Sequence, residues 1–171
     1  MNYSVCYQSP LGKLLVISND QAITGLWMDS QRYDGPELQK IPQDMAAKEL
    51  PVLRLAVEWL DRYFAGDRPK TEDLPLAPEG SAFRQIVWRL LCQIPYGELV
   101  TYGEIARRTA AIMNRPRMSA QAVGGVIGHN PIGIIIPCHR VIGSDGSLTG
   151  YAGGLDKKRW LLEHEGHRFS P

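Results

Sequence analysis

The stretch Thr101-Tyr102-Gly103-Glu104-Ile105-Ala106 and, after a polar connection, Ser119-Ala120-Gln121-Ala122-Val123-Gly124-Gly125-Val126-Ile127 holds two helix starts. Thr101 and Glu104 fit the S/T-x-x-E capping box, in which each side chain satisfies the other residue's backbone N–H, so a short helix begins at residue 102. Ser119 can cap a second helix over residues 120–127. Two short helices joined by a turn resemble a helix-turn-helix, whose second helix ordinarily meets DNA. Ala122, Gly124 and Gly125 make that second helix thin, which suits close approach to a groove or to another helix. The spacing alone leaves both open.

On the N-terminal side of this pair, Ser81 can cap a helix whose apolar face is Phe83, Val87, Leu90 and Leu91, closed by Ile94-Pro95-Tyr96-Gly97. A Pro-rich stretch at residues 69–80, with Pro75 and Pro78, reads as a linker. Before it, Leu53, Ala56, Val57, Leu60 and Phe64 mark one face of an amphipathic helix, with Pro51 near its start and Gly66 just past its end. A polar stretch spans residues 31–43, and residues 22–28 read as a strand. Residues 3–7 and 13–17 form a hairpin around Gln8-Ser9-Pro10-Leu11-Gly12. On the C-terminal side, residues 132–136 read as a buried strand ending at Pro137. A Gly-rich loop through Gly154 and a last helix over residues 156–165 follow, with Asp156 as N-cap and Gly166 as stop. The expected fold is α/β in the α+β sense. A small antiparallel-sheet-plus-helix domain spans residues 1–80, and a mostly helical domain with a winged-helix-like helix-turn-helix spans residues 81–171.

The 171 residues carry 19 Lys and Arg against 18 Asp and Glu, and a net charge of +1 argues against a nucleic-acid partner until the halves are separated. Residues 1–80 hold 8 basic and 12 acidic residues; residues 81–171 hold 11 basic, 6 acidic and all four histidines. The halves are electrostatically different objects, although a chance split is an equal alternative on charge alone. Three cysteines, Cys6, Cys92 and Cys138, are an odd number without paired spacing, which argues against a disulfide scaffold and a zinc module. No signal peptide or membrane span is readable, so a cytoplasmic location is expected.

Cys138 is the residue with chemistry. Cys6 and Cys92 read as small buried hydrophobes, whereas Cys138 lies between Pro137 and His139 and precedes a loop rich in backbone donors. A thiol becomes a strong nucleophile only where its thiolate is stabilised or a base takes its proton. Neighbouring side chains on an extended strand point apart, so a Cys138–His139 partnership requires a turn or a bridging water. A third group should orient the histidine. Glu165 is a candidate because a helix C-terminus disfavours negative charge and the placement demands compensation; a solvated glutamate beside Glu163 stays open.

The run Pro137-Cys138-His139-Arg140-Val141 is preceded by Gly128-His129-Asn130-Pro131. It is followed by Tyr151-Ala152-Gly153-Gly154 and Trp160-Leu161-Leu162-Glu163-His164-Glu165-Gly166. In that order these motifs closely resemble the 6-O-alkylguanine-DNA alkyltransferases, also called methylated-DNA-protein-cysteine methyltransferases. The likeness covers residues 81–171, and Ser9-Pro10-Leu11-Gly12 also looks like the family. The resemblance implies direct-reversal repair: Cys138 takes the alkyl group from 6-O-alkylguanine in double-stranded DNA after the nucleotide is flipped out, keeps it, and acts once. It leaves 4-O-alkylthymine open as a second substrate. By the same resemblance His139 is base through a bound water, Glu165 orients it, Asn130 holds the active-site turn, and Tyr102 donates a proton to the departing guanine. Ile127, Val141, Tyr151, Ala152 and Gly153 line the base pocket, and Ser119, Ala120, Gln121, Gly124 and Arg140 contact DNA.

Two departures stand out. Gln121 replaces a frequent family arginine that fills the gap left by the flipped base, so weaker and less salt-sensitive DNA binding is expected. The connection over residues 110–118 is long, and its Arg115 and Arg117 suit phosphate contacts or a solvated loop. Gly124-Gly125-Val126-Ile127-Gly128 lacks the spacing of a dinucleotide fingerprint, so no cofactor is expected, nor any metal. The protein is expected to act as a monomer. The rival readings are a Cys-His-Glu hydrolase, which would turn over repeatedly, and a sensor that binds alkylated DNA without accepting the alkyl group.

Overall fold

The structure, a computed structural model, describes residues 2–28 and 49–169; the polar stretch at residues 31–43 lies outside them. The chain divides into two compact units. One comprises Met1–Glu79 with Pro131–Gly133, the other Gly80–Asn130 with Ile134–Pro171.

In the first unit β1 (Tyr3–Ser9), β2 (Gly12–Ser18) and β3 (Ile23–Met28) form an antiparallel meander in that order. Pro10 and Leu11 close the first hairpin, and Gly12 takes the positive φ (99°) that the reversal requires. Leu14, Val16 and Ile23 are wholly buried, and so is Leu26. Helix α1 (Pro51–Phe64) starts with Pro51 in its first turn. Its buried face is Val52, Leu53, Ala56, Trp59, Leu60 and Tyr63, rotated slightly from the expected one, with Val57 and Phe64 half-buried. The rings of Trp59 and Tyr63 stack at 5.5 Å, and the Trp59 indole donates to the Lys70 carbonyl at 2.8 Å, which draws the larger residues inward.

Two expectations change here. The Pro-rich stretch is no free linker: Ile23 N donates to Pro75 O and Ala77 N to Ile23 O, both at 2.8 Å, and Leu74 is buried. Residues 132–136 are not a strand. Ile132 makes a single parallel bridge to Leu26, and Ile134 adopts φ 67°, which no extended strand tolerates. Leu26 N donates to Pro131 O and Gly133 N to Leu26 O, so residues 131–133 and 75–77 together satisfy the outer edge of β3. Five apolar residues in a row report burial, which a buried turn needs as much as a strand does.

In the second unit α2 (Ala82–Cys92), α3 (Tyr102–Ile112) and α4 (Ala120–Gly128) are each capped by the hydroxyl expected from sequence. Ser81 accepts from Arg84 N, Thr101 from Glu104 N and Ser119 from Ala122 N. The reciprocal half of the capping box is not formed, because the Glu104 carboxylate pairs with Arg107 and Arg108 instead. β4 (Val100–Thr101) pairs parallel with β5 (Val141–Ile142), tying the start of α3 to the residues after Arg140. The last helix, α5 (Leu155–His164), begins one residue early, on Gly154 at φ 101°; Asp156 sits inside its first turn and Gly166 follows at φ 101°. Cys6 and Cys92 are half-buried rather than core, and no disulfide joins the three cysteines. Among the described residues no helix is long and apolar enough to cross a membrane.

The hydroxyl of Thr101 is a single removable cap on α3. Thr101→Ala should cost about 1 kcal/mol, read as a lower urea midpoint at unchanged slope.

Candidate active site

Glu165 follows α5 directly, and its carboxylate is completely buried. Four donors converge on it: His139 Nε2 at 2.5 Å, Arg140 Nε at 2.7 Å and Nη2 at 3.2 Å, and the Gly97 backbone N–H at 3.2 Å. Burial alone would raise this carboxyl, but the hydrogen bonds from His139 and Arg140 and the Arg140 charge outweigh it and hold Glu165 well below the ordinary carboxylate range. Arg140 Nη1 reaches the Ile94 carbonyl at 2.7 Å, and the guanidinium carbon lies 5.6 Å from the Tyr96 ring centroid. Arg140 therefore supplies the compensation that a negative charge beyond a helix C-terminus demands.

This corrects one expectation. Arg140 was to contact DNA, yet its side chain is only 8% exposed and fully engaged by Glu165 and Ile94. A guanidinium holding a buried carboxylate has no free edge to offer a phosphate.

Residues 138–140 form a single 3-10 turn, in place of the expected strand end. Asn130 Nδ2 donates to Ile136 O at 2.8 Å, and Cys138 N donates to the same carbonyl at 2.8 Å. The Asn130 amide thus clasps the turn that carries the thiol, closing the excursion of residues 131–135. Cys138 is buried; burial raises its thiol pKa, with Asn130 and the Lys158 charge pulling the other way. His139 is completely buried, and burial, the largest influence on it, lowers its pKa below 6.5 against the pull of Glu165. The ring is neutral at pH 7, with the Nε2 proton donated to Glu165. Nδ1 is then a buried acceptor with no hydrogen-bond partner among the described residues.

A second cluster surrounds Tyr102, the first residue of α3. Its hydroxyl donates to Thr149 O at 2.8 Å. Lys158, wholly buried on α5, donates to Val141 O at 2.6 Å and Thr149 O at 2.8 Å, and approaches the Tyr102 hydroxyl at 3.4 Å. Burial pushes Lys158 down to about 8. The motif reading passed over Lys158, although a signal was present: positions 158, 161, 162 and 165 share one helix face, and Leu161 and Leu162 mark that face as buried.

The remaining expected residues divide by exposure. Ile127, Val141 and Gly153 are buried, Tyr151 is half-buried and Ala152 exposed. The Tyr151 hydroxyl is buried with no hydrogen-bond partner among the described residues; burial, with the nearby Cys138 and Glu165, keeps it protonated. Ser119, Ala120 and Gln121 are exposed. A Cβ on Gly124 would meet the Tyr102 ring at 3.7 Å, an ordinary van der Waals contact, so the packing of α4 on α3 does not itself demand glycine here. Among the described residues no group of three or more His, Cys, Asp or Glu could hold a metal ion.

The buried network is pH-sensitive in one direction. Glu165 and His139 both have folded pKa values below their unfolded ones, so the unfolded chain binds more protons as the pH falls below 6.5 and then below 4.5. Stability should therefore drop across that range. Glu165→Gln should remove the lower part of the drop while costing about 3–5 kcal/mol at pH 7, because Arg140 keeps a buried charge without its counter-ion. Urea titrations of both proteins between pH 4 and 8 measure this.

Residues 82–167 match the family described as 6-O-methylguanine DNA methyltransferase, DNA binding domain, and residues 2–78 match its ribonuclease-like domain. A methylated-DNA--protein-cysteine methyltransferase of Haemophilus influenzae is 45% identical over 163 residues, covering 95% of this chain and 86% of that protein. The protein of that name from Methanosarcina barkeri is 45% identical over 158 residues, covering 92% and 93%. Among solved structures, Mycobacterium tuberculosis O6-methylguanine methyltransferase superposes with a TM-score of 0.82 at 42% identity, covering 96% of this chain and 93% of that one. The Mycobacterium tuberculosis OGT solved in complex with DNA gives 0.80 at 41%, covering 95% and 92%. With both halves matched in order and the buried Cys138-His139-Glu165 arrangement in place, the chain belongs to the 6-O-methylguanine DNA methyltransferases.

Proposed function

We propose that this protein repairs DNA by direct reversal, moving the alkyl group of a flipped 6-O-alkylguanine irreversibly onto Cys138. The observation that carries this reading is the buried pair of a protonated thiol and a neutral, Glu165-oriented histidine whose Nδ1 has no partner among the described residues. A buried thiol is a poor nucleophile until it loses its proton. His139 Nδ1 takes that proton through one water, the sulfur–carbon bond forms as the carbon–oxygen bond to guanine breaks, and Tyr102 supplies the proton that guanine needs to leave. The Lys158 ammonium beside the Tyr102 hydroxyl favours that donation. The resulting thioether is not converted back to the thiol, so each molecule acts once.

Ile127, Val141, Tyr151, Ala152 and Gly153 form the base pocket in this reading, with accessible amides in the glycine-rich loop for the guanine oxygen. Exposed Ser119, Ala120 and Gln121 enter the minor groove on a helix whose small residues permit close approach. The domain at residues 81–171 carries DNA binding and chemistry, residues 1–80 support it, and the protein works as a cytoplasmic monomer.

Incubation with excess duplex bearing one 6-O-methylguanine should add one methyl to the peptide containing Cys138, in a stoichiometric burst without turnover. Repeated turnover would favour a hydrolase, and lesion binding without a mass gain a sensor. Gln121 fills the space left by the flipped base without adding charge. Gln121→Ala should therefore slow repair of the duplex severalfold with the salt dependence of binding unchanged, measured by single-turnover transfer and fluorescence anisotropy.

A further inference from the structure

The connection between α3 and α4 is a built feature. Asn114 takes a left-handed φ of 53° just beyond α3. Arg115 N donates to Ala110 O at 2.9 Å and Asn114 N to Ala111 O at 3.2 Å, the paired reverse bonds of a Schellman motif. Pro116 stiffens the next step, and the Ser119 cap on α4 closes the segment. Held between these two ends is a surface cleft of about 400 Å³, floored by Ala110 and Ala111 and walled by Arg107, Arg115 and Arg117.

The arginines around this cleft are not equivalent. Glu104 is shared by Arg107 at 2.6 Å and Arg108 at 3.0 Å. The side chains of Arg115 and Arg117 are exposed and pair with no carboxylate among the described residues. Residues 104–121 contain four arginines and one glutamate, a local +3 that supplies more than half of the +5 carried by residues 81–171. Guanidinium forks on a concave surface match phosphate oxygens. Arg117 lies two residues before the cap of α4, so a duplex whose minor groove receives α4 brings a backbone phosphate to this cleft.

We propose that the cleft walled by Arg107, Arg115 and Arg117 is a lesion-independent docking site for the DNA phosphate backbone beside α4. It anchors the duplex with charge that Gln121 does not provide. The inference rests on the DNA-repair reading and deepens it. Phosphate contacts position a protein without reading sequence, and each one lost reduces the salt dependence of binding by about one unit in the log–log slope.

The test compares the wild type, the double variant Arg115→Ala/Arg117→Ala and the charge-preserving Arg115→Lys/Arg117→Lys by anisotropy from 50 to 200 mM NaCl, on duplexes with and without one 6-O-methylguanine. Circular dichroism melting confirms folding. The alanine pair should lose affinity by the same factor on both duplexes and lower the salt slope by about two, and the lysine pair should keep most of the slope. An unchanged slope, a loss confined to the lesion duplex, or a lysine pair as impaired as the alanine pair would overturn the proposal. Methyl transfer from free 6-O-methylguanine base to wild-type Cys138 is assayed alongside. Absence of transfer from both base and duplex defeats the repair reading itself, whereas transfer with an unaltered slope defeats only the docking site.

Discussion

A buried carboxylate is tolerable only when every lone pair is occupied and its charge is balanced, and that constraint organises the second unit around Glu165. Its four donors come from two places: the 3-10 turn supplies His139 and Arg140, and the turn after α2 supplies the Gly97 amide, while the end of α5 supplies the carboxylate itself. One ionised side chain therefore cross-links three backbone segments. Arg140 neutralises it, so His139 need not act as counter-ion, and burial keeps the imidazole neutral. The histidine and the arginine beside it thus share one carboxylate.

The thiol is positioned by a different device. Asn130 and Cys138 share the carbonyl of Ile136, so the turn carrying the sulfur is clamped at its base by a side-chain amide. Between the clamp points the chain departs through Ile134 at φ 67° and lends three residues to the first unit. A β-branched residue accepts that conformation only under strong local restraint, and strain of this kind concentrates at functional turns. The outcome is a thiol on a clamped turn, kept protonated by burial.

Much of this was legible residue by residue. Hydroxyl caps at Ser81, Thr101 and Ser119 located three helices because capping is a local interaction between neighbours in sequence. The hairpin was equally local. Cys138, His139 and Glu165 stood out through the family motifs, and a charge at a helix C-terminus announced that a partner was needed without naming it. Arg140 was that partner, misread as a DNA contact because an arginine beside an active site looks the same in sequence whether it faces a phosphate or a buried carboxylate. Lys158 was overlooked for the complementary reason: a lysine reads as solvated until the helix face it occupies is known to be buried.

The sequence by itself determined the helix starts, the N-terminal hairpin and the separation of charge between the halves. Each follows from interactions within a few residues or from composition. Tertiary structure alone decided that the five apolar residues at 132–136 make a strained turn instead of a strand, that Arg140 faces inward, and that Lys158 reaches Val141 and Thr149. These outcomes depend on which distant carbonyls and carboxylates are left without partners when the chain packs, and a buried polar group must be satisfied wherever its partner lies in sequence.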